Sequence, residues 1–268
     1  MLGKTYHGIR IGYIKNQLDR MIGGKFVTRR GKLSVCITHD PANSSVNNKN
    51  YKVYNVDTER GRFYAKAVND YLALKSEYEQ LLSEWNVNYN IPVPQYRFPI
   101  NADPGPHSLT YTKFLQTKDY QNPAKNKKPF FYENNDKKEI LRSRNEGHLL
   151  TVLDAKKIPY KIEPEIPINM EYNRTYNCRY PDAMGGLPEI NRSFYLEVIG
   201  GMGLPGYKES NHTKFLDYEA AGYRDMKDFV TIYINDGWDE DYISTKIDAA
   251  IDVMCAGVGK ADCGEVIL

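Results

Sequence analysis

The absences in this chain of 268 residues narrow its class first. No stretch approaches the roughly 18 apolar residues of a membrane-spanning helix. The opening Met-Leu-Gly-Lys-Thr-Tyr carries no apolar run of signal-peptide length. A cytoplasmic protein is therefore expected. Cysteine is scarce: Cys36, Cys178, Cys255 and Cys263 make no Cys-x-x-Cys pair and have no spaced histidine partners. That pattern excludes a zinc ribbon or finger and favours free thiols in a reducing compartment over a disulfide framework. His7, His39, His107, His148 and His212 form no ligand-spaced pair, and His39-Asp40 and Glu146-Gly-His148 are too short to be metal motifs. No internal repeat is present, and a chain of this length buries enough apolar surface to fold without staples.

Net charge is close to zero, but its distribution is not even. Residues 1–145 hold 24 Lys and Arg against 13 Asp and Glu, whereas residues 146–268 hold 12 against 21. A basic half beside an acidic half suits a protein that grips phosphates with one part and holds a cation with the other. Scatter of surface charge would produce the same count.

Four segments follow along the chain. In the first, residues 1–90, Lys25 to Thr38 and Tyr51 to Val56 are rich in β-branched residues and alternate in part, which reads as strands around an Asn- and Ser-rich loop from Pro41 to Asn50. Val68, Tyr71, Leu74, Tyr78, Leu81, Leu82 and Trp85 then recur at spacings of three and four, marking an amphipathic helix over 65–85. The second segment, residues 91–140, lacks periodicity and is rich in Pro, Asn and Lys, as expected of a basic linker. In the third, residues 141–254, the expected order is a helix (143–157), strands at 160–165, 179–182 and 194–199, a helix (211–222), a strand (229–235) and a helix (239–254). That order fits an α/β sandwich built on a mixed sheet. Residues 255–268 read as a loose, Gly-rich tail.

Three carboxylates of the third segment stand out. Glu146 precedes Leu149, Leu150 and Leu153 by three, four and seven residues, so it lies on the apolar face of its helix. An ionised group there needs a partner or a cation. Ser143-Arg-Asn-Glu146 is equally a capping box, in which serine caps the helix and glutamate returns the bond. Asp182 follows Pro181 at a strand end. Glu197 lies within Phe194-Tyr-Leu-Glu-Val-Ile, a strand apolar on both faces, in phase with Tyr195 and Ile199. Its structural alternative is a surface glutamate on an edge strand, and that of Asp182 is a turn aspartate.

Leu141-Arg-Ser-Arg-Asn-Glu146, Ile158-Pro-Tyr-Lys-Ile-Glu163, Tyr180-Pro-Asp182, Phe194-Tyr-Leu-Glu197-Val-Ile-Gly, Tyr207, Lys214, Tyr218 and Val230-Thr-Ile-Tyr-Ile-Asn-Asp236 occur in that order. Together they resemble the PD-(D/E)XK nuclease superfamily, most of all its small bacterial and phage members. Those members read Arg-Ser-x-Ser-Glu, Ile-Pro-Tyr-x-Tyr-Glu, Tyr-Pro-Asp-Phe and Glu-His-x-Gly. The resemblance implies a restriction-endonuclease-like mixed-sheet core flanked by helices, preceded here by a small N-terminal sheet and helix. It implies a metal-dependent endonuclease acting on DNA, with Asp182 and Glu197 holding Mg²⁺ or Mn²⁺ and Glu146 binding the same ion, a second ion or an ordered water. Glu163 has a supporting place. Lys125, Lys127, Lys128, Arg142 and Arg144 are candidate phosphate contacts. A homodimer, or a partner protein that directs cleavage, fits the same reading. The chain departs from the pattern at Ile199, where the family usually has lysine; Lys214 on the following helix is the first candidate to replace it and Lys161 the second.

Two other classes compete. Gly201-Met-Gly203-Leu-Pro-Gly206 fits G-x-G-x-x-G after a strand, the outline of a dinucleotide site. A helix starting only at Asn211 would displace its phosphate-facing end, and Glu197 sits awkwardly in the preceding strand. A non-catalytic DNA-binding or assembly protein could use the 22 tyrosines and the basic half for stacking and phosphate contacts.

Overall fold

The computed structural model describes residues 3–103, 109–119, 130–134, 137–168, 178–200, 206–234, 240–256 and 258. It is a mixed α/β protein with several small sheets and six α-helices among these residues. No described helix is long and apolar enough to cross a membrane. The chain divides into two compact units, His7–Phe98 and a larger one formed by Met1–Tyr6 with Pro99–Lys260.

In the smaller unit β1 (Gly23–Arg29), β2 (Lys32–His39) and β3 (Lys52–Asn55) form an antiparallel sheet in that order. The long helix α2 (Glu59–Asn88) starts at Thr58, whose hydroxyl accepts the Gly61 N–H at 3.0 Å, a standard way to satisfy a free helix-end donor. Its Val68 joins Val35, Ile37 and Val46 in a core flanked by Phe26, Tyr54, Tyr64 and Leu72. The chain is preceded by α1 (Lys4–Leu18), which the sequence did not suggest. Every residue from Tyr6 to Ile11 is buried, so no polar stripe alternates with the apolar one and the helical period is hidden. His7 meets the Trp85 ring edge-on at 5.5 Å, and Arg10 pairs with Glu77 at 2.9 Å, tying α1 to α2.

The larger unit is built on a four-stranded mixed sheet in the order β11-β10-β9-β6, with β6 (Tyr160–Ile162), β9 (Ala183–Leu187), β10 (Arg192–Gly200) and β11 (Phe229–Ile234). β10 runs parallel to β11 and antiparallel to β9, which is antiparallel to β6. β10 is buried from Arg192 to Ile199, which excludes the edge-strand alternative for Glu197. Helices α3 (Tyr111–Gln116) and α5 (Tyr207–Ala220) lie on the face of Tyr195, in a core of Phe114, Met184, Tyr195, Tyr218 and Phe229. Helix α4 (Arg144–Ala155) lies against the opposite face, its Asn145 standing over Gly200, and α6 (Glu240–Cys255) packs beside it. Two small antiparallel pairs complete the unit: β4 (Phe130–Asn134) with β5 (Lys137–Leu141), and β7 (Ile166–Pro167) with β8 (Cys178–Arg179).

Two expectations are corrected. The stretch 91–140 is not a plain linker: Ile100, Ala102, Leu109 and Phe114 are buried in the larger unit, and α3, β4 and β5 arise within it. These elements of five or six residues are too short to show a period. Asp182 does not end a strand but stands immediately before one, β9, whose sequence Ala-Met-Gly-Gly-Leu carries no strand signature. That strand is buried along its whole length, and Gly185 and Gly186 are required because a side chain there would collide with Phe194 and with Tyr111 and Phe114. Residues 259–268, most of the expected tail, lie outside the described residues.

Candidate active site

Sheet register brings the acidic residues together. Ala183 pairs with Ile162 on one side and with Leu196 on the other, so one step along the antiparallel strands places Asp182 beside both Glu163 and Glu197. The Glu163 N–H donates to the Asp182 carbonyl at 3.2 Å, which fixes that step. Three carboxylates thus come side by side, Glu163 just past β6, Asp182 just before β9 and Glu197 within β10. Like charges directly opposite one another are destabilising unless cations intervene. Glu163 also adopts a left-handed backbone, with φ 45°, a conformation that costs an L-residue with a Cβ about 1–2 kcal/mol. Glu146, in the first turn of α4 on the opposite face of the sheet from Glu197, comes within reach of the Asp182 charge and of Arg142.

The capping-box reading of Glu146 is met by the geometry. The Ser143 hydroxyl accepts the Glu146 N–H at 3.3 Å, donates to its carboxylate at 3.1 Å, and the Arg142 N–H reaches that carboxylate at 3.0 Å, which completes the helix cap. The side chain is nevertheless buried, and burial together with the charge of Asp182 pushes its carboxyl up to about 7, against the pull of Arg142 and Ser143. Glu197 is buried as well. Burial first and Asp182 second push its carboxyl up to about 7, while Lys214 and Arg142 oppose the shift. The Tyr218 hydroxyl donates to Glu197 at 3.2 Å and its own pKa is raised well above the ordinary value by burial and by that carboxylate. Asp182 has both oxygens engaged, one by the Val198 N–H at 2.7 Å and the other by Arg142 at 3.1 Å.

Two cations stand among these four carboxylates. Arg142, expected to meet phosphate, instead sends its guanidinium into the cluster, where it pairs with Glu163 and Asp182 and approaches Glu146 at 3.7 Å. Burial alone would lower its pKa, but the surrounding carboxylates outweigh it and hold the guanidinium charged. Lys214 from α5 pairs with Glu197. Lys161 does not enter: its ammonium lies over the Phe114 ring at 5.6 Å, drawn there by the ring's negative face. Arg144 is exposed in the first turn of α4, and Lys125, Lys127 and Lys128 lie outside the described residues. Asn211 is an addition. It precedes Lys214 by three residues and Tyr218 by seven, hence shares their helix face, and its amide nitrogen is buried with no hydrogen-bond partner among the described residues. That spacing was available in the sequence.

The donor set is all carboxylate oxygen, the chemistry a hard divalent cation prefers. Four carboxylates face two cations, a formal excess of negative charge, and burial first and the charge of Asp182 second raise Glu146 and Glu197. By type and charge the residues therefore fit Mg²⁺ or Mn²⁺. As they stand they are not a finished ligand set: among the described residues no group of three or more His, Cys, Asp or Glu side chains is arranged to hold a metal. Arg142 and Lys214 occupy the acceptor atoms that a metal would use.

Residues 201–205 of the glycine motif lie outside the described residues. Gly206 caps α5 with φ 75°, and the helix begins at once, at Tyr207 rather than Asn211. The expected displacement of the helix end is thereby removed. The buried acid Glu197 remains the obstacle to a dinucleotide there, because the strand leading to the phosphate turn would carry a carboxylate facing the crossover helix. No protein-family model, curated protein or solved structure matches the chain.

Proposed function

We propose that the larger unit is a metal-dependent endonuclease that hydrolyses phosphodiester bonds in DNA. The observation that carries the reading is an acid-rich, buried set: Asp182 lies beside Glu197 in the sheet, its charge acts on Glu146 of the α4 start, and Arg142 pairs with Asp182 and approaches Glu146. A fold gains nothing from that excess of charge unless something binds it. Asp182 and Glu197, with Glu146, would hold Mg²⁺ or Mn²⁺, which when bound lowers the pKa of a water and neutralises charge growing on a phosphate. Lys214 supplies the positive charge that Ile199 cannot, held at the cluster by Glu197. Tyr218 fixes the second oxygen of Glu197 through its hydroxyl, and Asn211 offers a free amide donor on the same helix face.

The test is incubation with supercoiled and linear DNA in Mg²⁺ or Mn²⁺, beside Asp182→Ala and Glu197→Ala. Cleavage by the wild type alone is expected; equal cleavage by all three, or none by folded wild type on either DNA form, refutes the reading. One observation favours a second reading, a DNA-binding or assembly protein with a degenerate site: Arg142 sits where a metal would compete for Asp182. Under that reading the protein binds DNA, takes up no Mn²⁺ by calorimetry, and cuts nothing.

A further inference from the structure

The smaller unit carries a second surface that the carboxylate cluster does not use. Helix α2 covers one face of the β1-β2-β3 sheet, and the other face, where Cys36 is buried, is bordered by Asn48 and Tyr51 of the β2–β3 connection. Lys25, Cys36 and Val53 lie in one row across it, and a cavity of about 500 Å³ opens there, bordered also by Val27, Arg29 and Tyr51. β3 pairs with Ser34–Ile37 of β2 and the Val56 N–H donates to the Leu33 carbonyl, so Arg29–Lys32 projects beyond it as the tip of a two-stranded ribbon.

The charge of this sheet is of one sign. Lys25, Arg29, Arg30, Lys32 and Lys52 are exposed, and the three strands contain no Asp or Glu. None of the five forms an ion pair among the described residues, whereas Arg10, Arg142, Lys156, Arg179, Arg192 and Lys214 are all paired. The tip adds an independent sign. Arg29 and Lys32 pair directly, leaving Arg30 and Gly31 as a two-residue turn with φ of 53° and 75°. A turn with both central residues at positive φ favours Asn-Gly or Asp-Gly, and arginine is poorly suited to the first position. A cation is thus held at the ribbon tip against the local preference of the backbone.

We propose that this ribbon and the face of Lys25 bind double-stranded DNA, with the tip of β1 and β2 entering the major groove and Lys25, Arg29, Arg30 and Lys32 meeting phosphates. A two-stranded ribbon fits the major groove of B-form DNA, about 12 Å wide. The narrow major groove of duplex RNA excludes it. Single strands are bound on runs of aromatic side chains, and Tyr51 is the one aromatic bordering the cavity. The surface binds without divalent cation, so it is separate from the cleavage reading.

Fluorescence anisotropy of the full chain on a labelled 20-base-pair duplex in EDTA, over a salt series, tests it. Each phosphate contact contributes about 0.9 to the slope of log affinity against log salt, so Arg29→Ala/Arg30→Ala/Lys32→Ala should flatten it by roughly 2–3 and weaken binding at least about 10-fold. Arg30→Asn separates binding from folding, because it gives the turn its preferred Asn-Gly pair: its melting temperature should rise while its affinity falls. Lys66→Ala, exposed on α2, should change neither. The proposal is overturned if the triple variant, with native circular dichroism, keeps the wild-type slope. It is equally overturned if wild type binds no duplex DNA, or prefers single-stranded DNA or duplex RNA.

Discussion

Neutralising Glu197 while keeping its shape, by Glu197→Gln, should change how stability depends on pH. Burial and Asp182 raise the carboxyl from its ordinary 4.5 to about 7. A raised folded pKa means the native state binds the proton more tightly than the unfolded chain. The associated stability is therefore complete below about pH 4.5 and is lost as pH rises through 7. Raising a carboxyl by that amount corresponds to roughly 3 kcal/mol, an upper figure for one group. Glutamine has no such proton. The stability of wild type relative to Glu197→Gln should thus fall by up to about 3 kcal/mol between pH 5 and pH 8 in metal-free buffer. Hydrogen exchange of the β10 amides reads opening of the larger unit alone, which avoids treating two compact units as one transition. Saturating Mg²⁺ at pH 8 should restore the wild type, by about 2.7 kcal/mol at one hundred times the dissociation constant, and leave Glu197→Gln unchanged. Parallel pH profiles for the two proteins would refute the reasoning, because they would mean that Lys214 fully offsets the burial of this charge.

Lys214→Met should lower the cleavage rate on the order of 10²-fold, the usual loss when one charge-stabilising group is removed from a reacting site, with Mn²⁺ affinity by calorimetry unchanged or higher. Arg142→Ala should destabilise the metal-free protein by about 1–2 kcal/mol at pH 8, less than for a fully buried pair because the guanidinium is partly exposed. Calorimetry should show it binding Mn²⁺ more tightly than wild type, since Asp182 and Glu163 lose their competing cation; weaker binding would instead make Arg142 part of the ion's support.

The elements that bury a single face were readable from sequence. Val68 to Trp85 marks α2, Leu149 to Leu153 marks α4, and the apolar run of β11 stands out, because each has a period or a long β-rich run. Elements that are buried all round or very short were not. Tyr6 to Ile11 hides α1 by being continuously buried, and the two glycines of β9 argue against a strand that only close packing against Phe194 and Phe114 explains. The carboxylates could be nominated singly, but their side-by-side placement depends on the pairing of Ala183 with both Ile162 and Leu196, a long-range register that local sequence does not encode. For the same reason Arg142 read as a phosphate contact: only the folded sheet brings Glu163, turned by its positive φ, and Asp182 to its guanidinium.

Glu146 is where the structural and the chemical readings of this site can be separated. As the third helical residue after Ser143 it closes a capping box, a task glutamine performs as well as glutamate. As a member of the cluster it contributes charge, which glutamine lacks. Glu146→Gln keeps the bond with the Ser143 hydroxyl and the Arg142 N–H, so stability at pH 5, where the native glutamate is protonated, should match wild type within about 0.5 kcal/mol. At pH 8 the variant should be the more stable of the two, since the proton that glutamate loses as pH passes about 7 has no counterpart in the amide. Its Mn²⁺ affinity and its cleavage should fall together. Glu146→Ala removes the returning half of the capping box as well and should be about 1 kcal/mol less stable than Glu146→Gln at both pH values. If Glu146→Gln instead cuts DNA and binds Mn²⁺ like the wild type, Glu146 serves the helix alone and the metal rests on Asp182 and Glu197.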